Sequence, residues 1–385
     1  MNENDKLLLE VRNVQVHFDV RDGIIKAVDG VNYTVHRGQT LGVIGESGCG
    51  KSVTARAVMG MVPKPGRVVG GEIFFYLKQR DGTIRKINII ELDPDGEEIR
   101  TIRGGHIGMI FQEPMSSLTP VYSAGFHIGE AVGLHRLSPV RTVGGQMVEM
   151  LRDKLEVSKS EAREIAIEML RKVGIPKPEQ RVDSYPHQLS GGQRQRVMIA
   201  IALSCQPDLL IADEPTTALD VSIEAQILDL MRQLKEEVGM AIIYITHNLG
   251  VVAEMADEIV VMYMGKEVEK ASTTELFDNP LHPYTKALLL SIPRIGQSKE
   301  KLASIKGMVP DPFNLPRGCV FHPRCDLMMP GKCDVIEPVF GEAAPGHEVR
   351  CLLYDASWPK EPDAQAIKTA GDGIPNRLPT NGGRP

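Results

Sequence analysis

No stretch of the 385-residue chain approaches the roughly 18 consecutive apolar residues that a membrane-spanning helix needs. The longest candidates, such as Met240 to Thr246, are strand-sized. The opening residues, Met1 to Glu10, lack the basic-then-apolar order of a secretory signal. An excess of positive charge is missing too: the formal net charge is −6 and the pI is ≈ 6.0. That balance disfavours a nucleic-acid partner held through its phosphates. No internal repeat is visible, and no closely spaced Cys-x2-Cys pair of the zinc-ribbon kind occurs. Without a secretory signal, a disulfide framework is not expected. The remaining composition, 42% hydrophobic and 24% charged, is ordinary for a soluble globular protein. These absences predict a chain that stays in the cytoplasm and works at a membrane only through partner chains. Its length leaves room for two domains.

What is present is phosphate chemistry. Gly45-Glu46-Ser47-Gly48-Cys49-Gly50-Lys51-Ser52 fits the P-loop pattern without a mismatch. It follows the apolar strand Leu41 to Ile44 and opens a helix over Val53 to Met61. Glycines at 45, 48 and 50 let backbone N–H groups turn inward on a phosphate, and the helix adds its positive dipole end. Lys51 is expected to reach the β- and γ-phosphates, and the Ser52 hydroxyl to ligate Mg²⁺. A second apolar run, Leu209 to Ala212, ends in Asp213-Glu214. Asp213 suits a partner for that Mg²⁺, and Glu214 suits a base that activates water. His247 follows the strand Ile242 to Thr246 and falls on the same sheet edge, where α/β sheets bind ligands. Ser190-Gly191-Gly192 opens a further helix near Gln193, a second anion site by the same physics. One chain with one cradle and two anion sites points to a head-to-tail dimer, each signature turn closing on the ATP held by the other subunit.

The rest of the chain organises around these motifs. Residues 6–40 alternate apolar and polar side chains, with a turn at Arg21-Asp22-Gly23, and read as an antiparallel β layer. Residues 72–103 read as further hairpin strands turning at Arg80-Asp81-Gly82 and Pro94-Asp95-Gly96. Helical periodicity covers about 115–189, including a stripe of Ile165, Ile167, Met169, Leu170 and Val173 that ends near Gly174. A helix over about Ser222 to Val238 separates the strands 209–212 and 241–246. Such alternation implies an α/β core with a mainly parallel sheet. The boundaries expected are a nucleotide-binding domain over 6–265, a C-terminal extension over 266–358, and a polar, Pro- and Gly-rich disordered tail over 359–385.

Taken together, residues 8–290 resemble the nucleotide-binding subunit of an ATP-binding cassette transporter. The marks are the P-loop 45–52, Phe111-Gln112-Glu113-Pro114, the signature Leu189 to Gln193, the acidic strand 209–214, Ala218-Leu219-Asp220 and His247. Asp183 to Gln188, His282 to Leu289, and Gly318-Cys319-Val320-Phe321-His322-Pro323-Arg324-Cys325 narrow the resemblance to the ATPase subunits of dipeptide and oligopeptide importers. The fold it implies is a P-loop cassette ATPase: a mainly parallel core sheet, an antiparallel β subdomain, a helical subdomain and a small Cys-rich C-terminal lobe. It implies that Gly45 to Ser52 and Val53 hold ATP, that Phe18 stacks on adenine, and that Ser52, Gln112 and Asp213 serve Mg²⁺. Glu214, His247 and Gln112 would act in hydrolysis. Ser190, Gly191, Gly192 and Gln193 would touch the opposing ATP, and Asp220 would link the two sites. The implied partners are two transmembrane permeases, a second cassette subunit and, indirectly, an extracytoplasmic solute-binding protein, placing the chain on the cytoplasmic face of the membrane. Segments 76–100 and 136–157 are longer than the family's usual pattern, and Thr119 stands where Asn is frequent.

Other classes compete. A soluble cassette ATPase acting on DNA or in translation usually carries two cassettes or a long coiled coil, and neither is here. A redox regulator would make the cysteines the active part. Cys319-x5-Cys325-x7-Cys333-x17-Cys351 gathers four of the six cysteines at the C-terminal end. Four thiolates match either a [4Fe–4S] cluster or a zinc ion on ligand count, with His322 as an alternative zinc ligand. Four unliganded cysteines are the plain alternative. The resemblance to peptide importers favours the cluster, in a structural or regulatory role.

Overall fold

The computed structural model describes residues 6–79, 81–111, 141–155, 157–216, 219–291 and 305–355. Gln112 to Met115, Thr119, Ala218, the tail 359–385 and much of the expected helical region lie outside the described residues. The chain falls into two units divided after Lys266.

The first unit opens with two long antiparallel strands, β1 (Leu7–Val20) and β2 (Gly23–His36), joined at the turn expected from the sequence. β3 (Thr40–Ile44) leads through the P-loop into α1 (Lys51–Val58). β4 (Gly66–Lys78) and β5 (Ile84–Asn88) complete a four-stranded antiparallel sheet of order β2–β1–β4–β5. The second expected hairpin does not form. Pro94-Asp95-Gly96 leads instead into α2 (Glu97–Thr101), with Gly96 at the N-cap and two acids in the first turn. Acids there favour the helix dipole over continuation as a strand. Arg103 secures this region by donating to the carbonyls of Met59, Gly60 and Pro94.

After β6 (Ile107–Ile110) come the helices α3 (Val143–Leu155), α4 (Lys159–Lys172), the short α5 (Pro178–Arg181) and α6 (Gly191–Ser204). β7 (Leu209–Asp213), α7 (Val221–Val238), β8 (Ala241–Ile245), α8 (Leu249–Met255) and β9 (Glu258–Tyr263) finish the unit. β9–β3–β8–β7–β6 are consecutive and parallel. Every residue of β3, β7 and β8 is buried, as in a sheet covered on both faces. Alternate residues divide between two cores. Leu210, Ala212, Ile242 and Tyr244 face a cluster with α3, α4, α6 and α7, while Leu209, Ile211, Ile243 and Ile245 face one shared with α1 and the antiparallel sheet. The carboxyl ends of β3, β7 and β8 therefore meet along one rim.

The second unit contains β10 (Lys266–Ser272), α9 (Thr273–Asp278), α10 (Pro283–Leu290), β11 (Gly341–Ala344) and β12 (His347–Val349). β12 pairs with both β10 and β11, all antiparallel. Its polar pattern hides the most: Glu267 and Glu269 of β10 are wholly buried. Arg350 donates to a Glu267 carboxylate oxygen at 2.8 Å, and His347 Nε2 lies 2.7 Å from Glu269 Oε1. The Glu269 carboxylate also accepts from the backbone N–H groups of Leu281 and His282. No helix among the described residues is long and apolar enough to cross a membrane.

Candidate functional site

The P-loop runs from the end of β3 to the start of α1, and its glycines answer to close backbone approach. A Cβ on Gly45 would lie 2.2 Å from the carbonyl oxygen of Met262, and one on Gly50 would lie 2.4 Å from that of Ala27. Both positions also have positive φ, so no other residue keeps this course. Lys51, buried at the first position of α1, donates to the carbonyls of Gly45 and Glu46 at 2.8 and 3.0 Å. Its ammonium thus lies over the loop where phosphate charge would sit. Ser47 and Gly48 are exposed, while Cys49 is buried and Val53 packs against the core. Burial raises the Cys49 thiol pKa, with nearby Lys51 opposing part of the effect.

Ser52 Oγ donates to Asp213 Oδ1 at 3.0 Å, joining residues 161 apart in the chain. Asp213 is 2% exposed. Burial raises its carboxyl pKa against the pull of the Ser52 hydroxyl, Arg56 and Lys51. A hydroxyl and a desolvated carboxylate make a hard oxygen pair, the donor chemistry Mg²⁺ takes. Next to it, Glu214 Oε1 lies 3.2 Å from His247 Nδ1. Glu214 adopts a left-handed backbone with φ 47°, and its N–H donates to the Ile245 carbonyl at 2.9 Å. Lys51, Ser52, Asp213, Glu214 and His247 are thus gathered along the rim of β3, β7 and β8. Phe18 is half-buried on β1, its ring packed against Gly66 of β4.

At the start of α6, Ser190 is the N-cap. Its Oγ accepts from Gln193 N–H at 3.2 Å, and Gln193 Oε1 accepts from Ser190 N–H at 3.1 Å. Gln193 therefore caps its own helix. A Cβ on Gly191 would meet nothing within 4 Å. Asp220 is exposed at the N-cap of α7.

In the second unit Cys319, Cys325, Cys333 and Cys351 line one small pocket, together with His282 and Phe321. All four are free thiols. Burial raises the pKa of Cys319, pushes Cys325 up to about 11 and Cys351 to about 12, and Cys333 adds to each rise. His322 Nδ1 is 2.9 Å from the Cys319 carbonyl. Among the described residues, no group of three or more His, Cys, Asp or Glu is close enough to hold a single metal ion. Sequence reasoning did not anticipate His282. It is 1% exposed, accepts from the Tyr284 N–H at Nδ1 and, with burial dominant, has its pKa lowered to about 4. Its neutral ring, bonded as well to the Arg350 backbone, steadies the segment that delivers Cys351.

Comparison with known proteins finds a family match within each unit. A family described as ABC transporter matches residues 28–217, and one described as oligopeptide/dipeptide transporter, C-terminal region, matches 268–333. The probable peptide ABC transporter ATP-binding protein y4tR of Sinorhizobium fredii is 46% identical over 91% of this chain and 97% of its own length. The dipeptide transport ATP-binding protein DppD of Escherichia coli is 43% identical over 91% of this chain and 99% of its own. Among solved structures, the dimeric cassette MJ0796 bound to ADP and Pi aligns with a TM-score of 0.56 and 26% identity, covering 69% of this chain and 99% of that one. The chain belongs to the ATP-binding subunits of ABC transporters and carries the oligopeptide/dipeptide transporter C-terminal region.

Proposed function

We propose that this chain is the ATP-hydrolysing subunit that drives import of dipeptides or oligopeptides through partner permeases, from the cytoplasmic face of the membrane. The Ser52–Asp213 hydrogen bond carries the catalytic part, since it puts the two halves of a nucleotide site on one rim beside Glu214 and His247. The peptide cargo is supported by the relatives' names and the matched C-terminal region. In this reading the P-loop amides and Lys51 hold the phosphates, and Phe18 offers its ring to adenine. Ser52, Asp213 and Gln112 would hold Mg²⁺, which when bound would neutralise charge at the phosphates. Glu214 takes the proton of the attacking water, and His247 orients that carboxylate and the γ-phosphate end. A second subunit closes Ser190 to Gln193 over the ATP, with Asp220 between the sites. The working division is a cassette over 6–265, its helical subdomain at about 115–189, the extension over 266–358 and the tail beyond.

Reconstitution tests this directly. In vesicles holding both permeases, with a peptide-loaded binding protein on the outside, ATP should drive peptide accumulation. ATP turnover without any cargo movement, for peptides as a class, would remove the importer assignment.

A second reading concerns the cysteine cavity. Four thiols converge on one space lined by apolar side chains, yet no three ligands approach closely enough for a single ion. Four soft thiols suit a [4Fe–4S] cluster on ligand count, with zinc as the alternative. When bound, the cluster would cross-link the four chain segments and supply no step of ATP chemistry. Protein purified without oxygen should be brown, absorb broadly near ~400 nm, and contain iron and sulfide. Cys351→Ser should lose colour and iron. Colourless protein with one zinc per chain would select zinc instead, and metal-free folded protein would exclude both.

A further inference from the structure

Gln195 sits on α6, five residues beyond the Ser190 cap, and is 2% exposed. Its side-chain amide donates to the Pro215 carbonyl at 2.7 Å. None of the roles given above uses it. An amide taken out of water is costly unless paired, so this contact is what the helix gains from a glutamine at a core position. Pro215 follows Glu214 directly. The left-handed backbone of Glu214 is a conformation that persists only where its surroundings hold it. Two tethers do so here: β8 accepts the Glu214 N–H through Ile245 on one side, and α6 holds the next carbonyl through Gln195 on the other. The connection continues past the glutamate. Thr216 Oγ1 donates to Glu224 Oε1 at 2.6 Å, on the helix that Asp220 caps. Arg196, the neighbour of Gln195, feels the Asp220 charge.

We propose that Gln195 is a positioning residue that ties the geometry of Glu214 to what binds at the N-terminus of its own helix. The inference rests on the composite-site reading given above. In a closed dimer, Ser190 and Gly191 meet the ATP of the partner subunit, whereas Glu214 serves the ATP on this chain's own P-loop. The distance along α6 from cap to Gln195 is about 7 Å, well within one rigid helix. A small shift of α6 on docking with triphosphate therefore moves the Pro215 carbonyl and reorients Glu214. Hydrolysis at one site then depends on occupancy of the other, through a hydrogen bond inside a single chain.

Gln195→Met keeps length and burial and removes the donor. In the complete transporter, turnover measured against ATP concentration should show kcat lowered about 10–100-fold, the scale of a small misplacement of a reacting group. The Hill coefficient should fall toward ~1. ATP binding by the separate subunit should match wild type even though the lost buried hydrogen bond lowers its melting temperature by a few degrees, a split that a merely structural role would not give. Gln195→Asn keeps polarity but is one methylene too short, and gives the same split if the Met variant is insoluble. Wild-type kcat and Hill coefficient in either soluble variant would overturn the tie, as would equal losses of ATP binding and kcat. Ser190→Arg separates the two levels. Should ATP-driven dimerisation survive it, the composite site itself fails. Should dimerisation be lost while Gln195→Met turns over as wild type, only the tie fails.

Discussion

Glu214→Gln is expected to bind ATP as tightly as wild type while hydrolysing it ~10²–10⁴-fold more slowly, the usual worth of a positioned general base. The substitution preserves size and the left-handed backbone, so the Ile245 and Gln195 tethers remain. It removes only the ability to take a proton. His247, 3.2 Å away, keeps a hydrogen-bonding partner in the amide oxygen, so the local fold is undisturbed. The complex should accumulate as an ATP-bound closed dimer, visible by size-exclusion chromatography as a species that wild type shows only transiently. Near-normal turnover would remove Glu214 from the chemical step. Lys51→Ala should fail earlier: its ammonium lies over the loop, and losing it should weaken nucleotide binding itself.

Ser190→Arg is expected to abolish ATP-driven dimerisation and transport together, with ATP binding to the monomer intact. Two effects coincide in this one change. The Ser190 Oγ that caps Gln193 N–H is lost, at about 0.5–2 kcal/mol for an N-cap. A long cationic side chain then occupies the open approach beside Gly191. The first effect alone leaves the unit folded, since α6 is buried along most of its length. Ser190→Ala, which loses the cap but adds no bulk, should therefore dimerise more weakly without being blocked. Loss of monomer ATP binding with dimerisation unchanged would refute the composite site.

The nucleotide rim was legible because its chemistry is local. A P-loop is eight contiguous residues, and Asp213-Glu214 ends a strand too apolar to lie anywhere but the core. The helices over 159–172 and 221–238 announced themselves by periodicity. Pro94 to Gly96 misled because the same turn chemistry starts a hairpin or a helix. Only Glu97 and Glu98 beyond it decide the matter, through the dipole they face. Gln195 was hidden for a different reason. A glutamine on a helix reads as solvent-facing, and its partner is a backbone carbonyl, which leaves no trace in sequence. Glu267 and Glu269 carried no signal of their burial: the residues that pair with them in the fold, Arg350 and His347, lie about eighty positions later.

That separation sets an order of events during synthesis. β10 leaves the ribosome with two carboxylates that are wholly buried in the finished protein. Burying a carboxylate without its partner costs about 3–5 kcal/mol, so this strand cannot settle into place until Arg350 has emerged. Cys351 is the very next residue. The chain thus completes its thiol set and neutralises its buried acids in the same step of elongation, and a product truncated before position 347 would have neither. Such a fragment would retain every nucleotide motif, yet its second unit would lack the partners of two carboxylates that the finished fold buries.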